Sequence, residues 1–140
     1  MRPLIPFLAI ALLLMASCRN SAPQSSDNRV ATLTYGQGGG VTGKYSEYAL
    51  TIEGNLYKHD MASGERVFVK KVERKPCRSL FIEAEKLNLM EMDFNHPANM
   101  NYYIIYRKGV NEKKVNWGDA NKLPPAGVKE LWEKLWELAR

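Results

Sequence analysis

Apolar and polar positions alternate along much of the chain beyond residue 30, and that alternation predicts strands. Residues 44–53 put Tyr48, Leu50 and Ile52 on one face and Glu47, Thr51 and Glu53 on the other. This period of two is that of a half-buried strand. Gly54-Asn55 turns the chain, and Leu56-Tyr57-Lys58 can return as its hairpin partner. Upstream, residues 30–35 are rich in strand formers and end in the loop signal Gly36-Gln37-Gly38-Gly39-Gly40. After a turn at Met61-Ala62-Ser63-Gly64, residues 66–70 form another strand. Residues 102–107 are aromatic and β-branched, and Lys108-Gly109 turns them back into residues 113–117.

Two stretches switch to helical spacing. Pro76 opens the first, with Leu80, Ala84 and Leu87 on one face and Cys77 and Phe81 beside them. Ile82 and Leu89 fall on a different side, so they are covered by a second neighbour or form a small apolar spot. Asn95-His96-Pro97-Ala98-Asn99 reads as a loop. Leu123-Pro124-Pro125-Ala126-Gly127 breaks the chain before the second helix, whose Val128, Leu131, Trp132, Leu135, Leu138 and Ala139 share a face. Glu130 and Lys134 have the spacing of an i,i+4 pair on the opposite side. The order β-β-β-α-β-β-α suggests an α+β fold, an antiparallel sheet of about five strands with both helices on one face.

The first residues follow a different pattern. Met1-Arg2 is basic, residues 4–15 are apolar apart from Pro6, and small residues follow. That run is shorter than the roughly 20 residues a membrane-spanning helix needs, and the layout is that of a secretory signal. Its end, Leu14-Met15-Ala16-Ser17-Cys18, resembles the lipobox of bacterial lipoproteins. The resemblance implies cleavage between Ser17 and Cys18, diacylglyceryl and acyl chains on Cys18, and attachment to a membrane of the cell envelope. Several acyl chains exceed what lasting anchorage requires. Arg19 at the second mature position leans towards the outer membrane, with the domain facing the periplasm. The expected organisation is a signal at residues 1–17, a lipidated cysteine and flexible polar tether at 18–29, and one domain at 30–140.

Composition narrows the chemistry. Without the signal the chain has 19 basic and 15 acidic residues, a dispersed net charge of +4 outside the cytoplasm, and nucleic acid is not an expected partner. Cys77 is the one cysteine left, expected to act as a small buried hydrophobe rather than a reactive thiol. His59 and His96 lie far apart in turn-like segments, outside any metal-spaced pair. No serine sits in a nucleophile elbow. Glu83, Glu85, Glu91 and Asp93 read as the solvated side of a helix and its exit. Neither a cofactor nor catalysis is expected.

Two segments are candidate partner-binding sites: Gly38, Gly39 and Gly40 in the glycine-rich turn, and Trp117 with Asp119 at the exit of the last strand. The turn can equally be a long mobile hairpin, and Trp117 can equally cap the core beneath the final helix. Gly39-Gly40-Val41-Thr42-Gly43 and the closing Leu123-Pro124-Pro125 with its Leu/Trp helix resemble emfourin, a small inhibitor of thermolysin-like metalloproteases. Val41 and Thr42 depart from that family's turn. The resulting expectation is a membrane-anchored, non-catalytic interaction domain with an unknown protein partner. A metalloprotease inhibitor and a structural subunit of an envelope complex stand as alternatives, the latter requiring an apolar patch around Ile82 and Leu89.

Overall fold

The computed structural model describes residues 30–140; Ser17, Cys18, the signal segment and the tether up to residue 29 lie outside the described residues. Strands β1 (Ala31–Gly39), β2 (Lys44–Thr51), β3 (Asn55–His59) and β4 (Arg66–Lys71) precede helix α1 (Arg74–Lys86). Strands β5 (Asn95–His96), β6 (Met100–Lys108) and β7 (Asn111–Trp117) then lead to helix α2 (Val128–Leu138). The seven strands form one sheet in the order β4-β3-β2-β1-β6-β7-β5. All neighbours are antiparallel except β5 and β7.

The α+β class therefore holds, but the sheet is larger than five strands and mixed rather than purely antiparallel. The unexpected parallel strand, β5, arises from backbone demand rather than side-chain preference. Asn95-His96 passes beside the end of β7, where the Asn116 N–H donates to the Phe94 carbonyl (3.1 Å) and the Asp119 N–H to the His96 carbonyl (3.2 Å). A polar segment beside an open ladder satisfies those groups whatever its propensity. Strand β1 also runs four residues further than the glycine signal implied, and Gly36 and Gly38 are part of it. A Cβ at Gly36 would stand 2.5 Å from the Tyr103 hydroxyl, which crosses over it. Glycine here admits a neighbour's ring and does not end the strand.

Register divides the sheet into two faces. Leu33, Tyr35 and Gln37 point to one side with Tyr48, Leu50, Tyr102, Ile104 and Tyr106. Both helices cover this side: Phe81 of α1 meets Tyr106, and Trp132 and Trp136 of α2 meet Tyr102, Trp117, Tyr35 and Tyr48. Leu33, Leu50, Leu56, Ala84, Val128, Leu131 and Leu135 are fully buried between them. Ile52 lies beyond the end of β2 and is exposed, so it does not join Tyr48 and Leu50.

Helix α1 starts two residues before Pro76, which falls in the first turn, where a missing N–H leaves no bond unmade. Cys77, Leu80, Phe81 and Ala84 are buried, as their spacing suggests. Burial pushes the Cys77 thiol up, and its Sγ–H points at the Thr51 carbonyl (3.5 Å). Ile82 and Leu89 separate. Ile82 is exposed, whereas Leu89 is buried because the helix has already ended and Asn88 turns the chain with φ 54°. Lys134 pairs with Glu83 of α1 (2.8 Å) and not with Glu130, so it joins the two helices. The i,i+4 pair on α2 is Lys129 with Glu133 (3.8 Å).

Edge strand β4 exposes Val67, Phe68 and Val69. Its register skips Val69, and Arg66, Lys70 and Lys71 flank the apolar centre. A bulge and flanking cations are devices that discourage edge-to-edge pairing.

Glu85 accepts hydrogen bonds from the Tyr106 hydroxyl (2.6 Å) and Lys108 Nζ (2.9 Å), which hold its carboxyl below the usual range. A carboxylate whose pKa is depressed by folding stabilises the fold above its unfolded value and loses that contribution as pH falls through the folded one. Glu85→Gln is therefore expected to lower stability at pH 7 by about 1 kcal/mol or less, since the group is largely solvated. The deficit should shrink as the pH drops below about 4.5, as measured by urea unfolding across pH.

Candidate functional site

Gln37, Tyr102 and Trp117 lie side by side on adjacent strands, a row across β1, β6 and β7 on the helix-covered face. At this end of the sheet the cover is incomplete. The loop from Gly118 to Pro124 and one side of α2 leave a groove of about 960 Å³, of which that row forms part of the floor. The volume falls within the range of ligand sites, roughly 300–1,000 Å³.

Aromatic rings make one wall. Trp132 stacks on Trp136 with centroids 5.0 Å apart and meets Trp117 and Tyr102 edge-on at 6.3 and 5.3 Å. Trp117 stacks on Tyr102 at 6.1 Å. The Trp132 indole N–H donates to the Gly36 carbonyl (3.1 Å), which fixes α2 against the sheet. Burial is graded: Trp117 and Trp132 are nearly covered, while Tyr102 and Trp136 are only partly buried. Leu123 and Pro124 stand on the loop side.

The charges around the groove are unevenly compensated. Lys129, Lys134 and Arg140 are each within ion-pair distance of a glutamate. Among the described residues, Asp119 and Glu130 have no such partner; Asp119 Oδ1 accepts the Asn121 N–H (2.8 Å), and Glu130 lies in the first turn of α2.

Of the five residues singled out in the sequence, Trp117 and Asp119 line the groove and Gly38, Gly39 and Gly40 do not. Gly38 and Gly39 end β1 opposite Asn101 and Met100, next to the Gln37-Tyr102-Trp117 row, and Asp119 follows Trp117 along the groove. Gly39 (φ 104°) packs directly on the Asn99 carbonyl, where a Cβ could not fit, and the Gly40 N–H donates to that carbonyl (2.8 Å). The hairpin is thus pinned at its base to the loop before β6, and its tip, from Val41 to Gly43, is exposed. Trp117 both caps the core and lines the groove.

The remaining candidates stay apart. His59 and His96 sit five strand positions from each other, about 24 Å at ordinary strand spacing. Neither is in a free turn. His96 belongs to β5 and packs on Phe94 (4.7 Å), and His59 ends β3 with Nδ1 against the Glu47 carboxylate. Glu47 also accepts the Tyr103 hydroxyl (2.7 Å), and Lys114 Nζ lies 4.5 Å over the Tyr103 ring. Burial, then the bond to Glu47, raises the Tyr103 phenol above its ordinary value. This network lies on the open face of the sheet beside a hollow of about 200 Å³. Among the described residues, no three His, Cys, Asp or Glu side chains converge as metal ligands would.

Sequence reasoning missed Tyr102, Trp136 and Gln37 as site residues. Tyr102 and Trp136 read there only as strand and helix residues, and nothing in their spacing says that the helix stops short of covering them. No family model matches the chain, and no curated protein matches it in sequence.

The Trp132 anchor can be tested alone. Trp132→Phe keeps an aromatic ring but leaves the Gly36 carbonyl without this donor, so it is expected to cost about 1–3 kcal/mol in urea unfolding.

Proposed function

We propose that this chain is a lipid-anchored protein of the bacterial cell envelope whose domain is a non-catalytic binding module for a protein partner. The partner engages the pole that carries the aromatic groove. One observation carries the reading: an exposed apolar residue lines that groove, and two more stand on the hairpin and strand end next to its floor. Val41 at the hairpin tip is fully exposed, Leu123 on the groove loop is 79% exposed, and Met100 is 40% exposed beside Gly40. Exposed apolar surface rimmed by charge is characteristic of interaction sites, and Trp and Tyr are the residues that anchor them.

The direction of the chain supports the anchored arrangement. Val30 precedes the first residue of β1 and the groove takes in Gln37 near its other end, so about 20 Å of strand separates them. A tether entering at Val30 attaches at the opposite end of β1 from the groove, which leaves the groove accessible to a partner while the lipid on Cys18 sits in the membrane. No helix among the described residues is long and apolar enough to cross a membrane, and the lipid on Cys18 is the proposed anchor.

A second reading rests on the hairpin tip. A rigid base with a free, apolar apex at Val41 suits insertion into an enzyme cleft, as the resemblance to emfourin implies. A thermolysin-like protease unaffected by micromolar purified chain would remove that reading. The structural-subunit alternative gains no support here, because Leu89 is buried and Ile82 stands without it.

Two measurements test the main reading. Labelling cells with a fatty-acid analogue should mark the wild-type chain and not Cys18→Ala, which should also leave the membrane fraction. Crosslinking in intact cells should capture a discrete protein with the wild type, and Leu123→Asp or Val41→Asp should reduce that capture at least about tenfold. Equal capture by both variants would remove the groove pole as the interface.

A further inference from the structure

The partner's chemistry can be narrowed from the charges and rings at the groove, an inference that rests on the pole being the binding surface. We propose that the groove takes an extended segment presenting a cationic side chain, arginine or lysine, laid against Tyr102 and Trp136 and held by Asp119 and Glu130. Three features lead to this assignment. Every cation lining the groove already has a glutamate of its own, so an anionic ligand would have to break an existing pair. Asp119 and Glu130 line the same groove with no cation of their own among the described residues, and so leave negative charge for a ligand to neutralise. Tyr102 and Trp136 line the groove and are only partly buried, and aromatic rings attract a cation, Trp more strongly than the others.

A guanidinium fits better than a compact ammonium. It is planar, weakly hydrated and able to stack on a ring while its N–H groups reach a carboxylate in the ring plane. The rest of the segment lies along the apolar side formed by Leu123 and Pro124. The occupant is therefore a basic, partly apolar stretch of another protein. A second copy of this chain is a competing occupant that the experiment separates.

All three tryptophans of the chain line this groove, so intrinsic fluorescence reports on it directly. The full-length chain in detergent is titrated with the acetylated, amidated peptide Ala-Leu-Arg-Leu-Ala and with versions bearing citrulline or glutamate in place of arginine. The arginine peptide should give a saturable change, weakened by added salt. Citrulline, which keeps the shape and loses the charge, should bind at least about tenfold more weakly, as expected for loss of a charge-assisted hydrogen bond. Glutamate should bind weakest of the three. Asp119→Asn and Glu130→Gln should each weaken the arginine peptide several-fold and narrow the gap between the arginine and citrulline peptides.

Equal binding of arginine and citrulline peptides overturns the cationic assignment and leaves the groove as an apolar site. Absence of any change with all three peptides at millimolar concentration also overturns it, while capture in cells judges the interface separately. A fluorescence change that follows protein concentration without peptide, with dimers in sedimentation equilibrium, assigns the groove to a second copy and overturns the proposal.

Discussion

The contact between the Trp132 indole and the Gly36 carbonyl sets where α2 lies, and the pole of the molecule follows from that placement. A helix resting on a sheet through aliphatic side chains alone can slide, because dispersion forces are weak and non-directional. A hydrogen bond from the helix to one strand carbonyl adds direction. With Trp132 held there, Trp136 stacks on it, Tyr102 and Trp117 close around its edge, and Leu131 and Leu135 seat on the core. The groove is what remains where the helix surface and the following loop fail to meet.

Strand β1 takes part in both halves of this arrangement. Its early residues, Leu33 and Tyr35, are core. Gly36 and Gly38 lack side chains, so the rings of Tyr103 and Tyr45 can cross the strand on the open face. Gly39 then lets the backbone close on Asn99 and fix the base of the hairpin. A run that looks permissive in the sequence is tightly packed for most of its length, and its freedom is confined to the tip.

The polar network on the open face and the ion pairs between helices play a different part. Glu47 with His59 and Tyr103, Glu85 with Tyr106 and Lys108, and Glu83 with Lys134 all link elements distant in sequence. Their strength is moderated by solvent, and their value lies in register: each pairing is satisfied in one arrangement of strands and helices. Among the described residues, Asp119 and Glu130 at the groove take no part in such pairs.

Local periodicity was enough to read the α+β class, the buried faces of both helices and most strand positions, because alternation and 3.6-residue spacing are properties of neighbouring residues. It was also enough to mark the glycine turn, Trp117 and Asp119 as unusual. Tertiary structure alone decided that β5 joins the sheet in parallel, since a two-residue polar strand exists only where a ladder waits for it. It alone decided that Leu89 is buried while Ile82 is not, and that Lys134 reaches across to α1 and not along α2. It also brought Gln37, Tyr102, Trp117 and Trp136 to one groove. Those positions are separated by up to 99 residues, and sheet register and helix placement brought them together, neither of which is encoded in the local pattern.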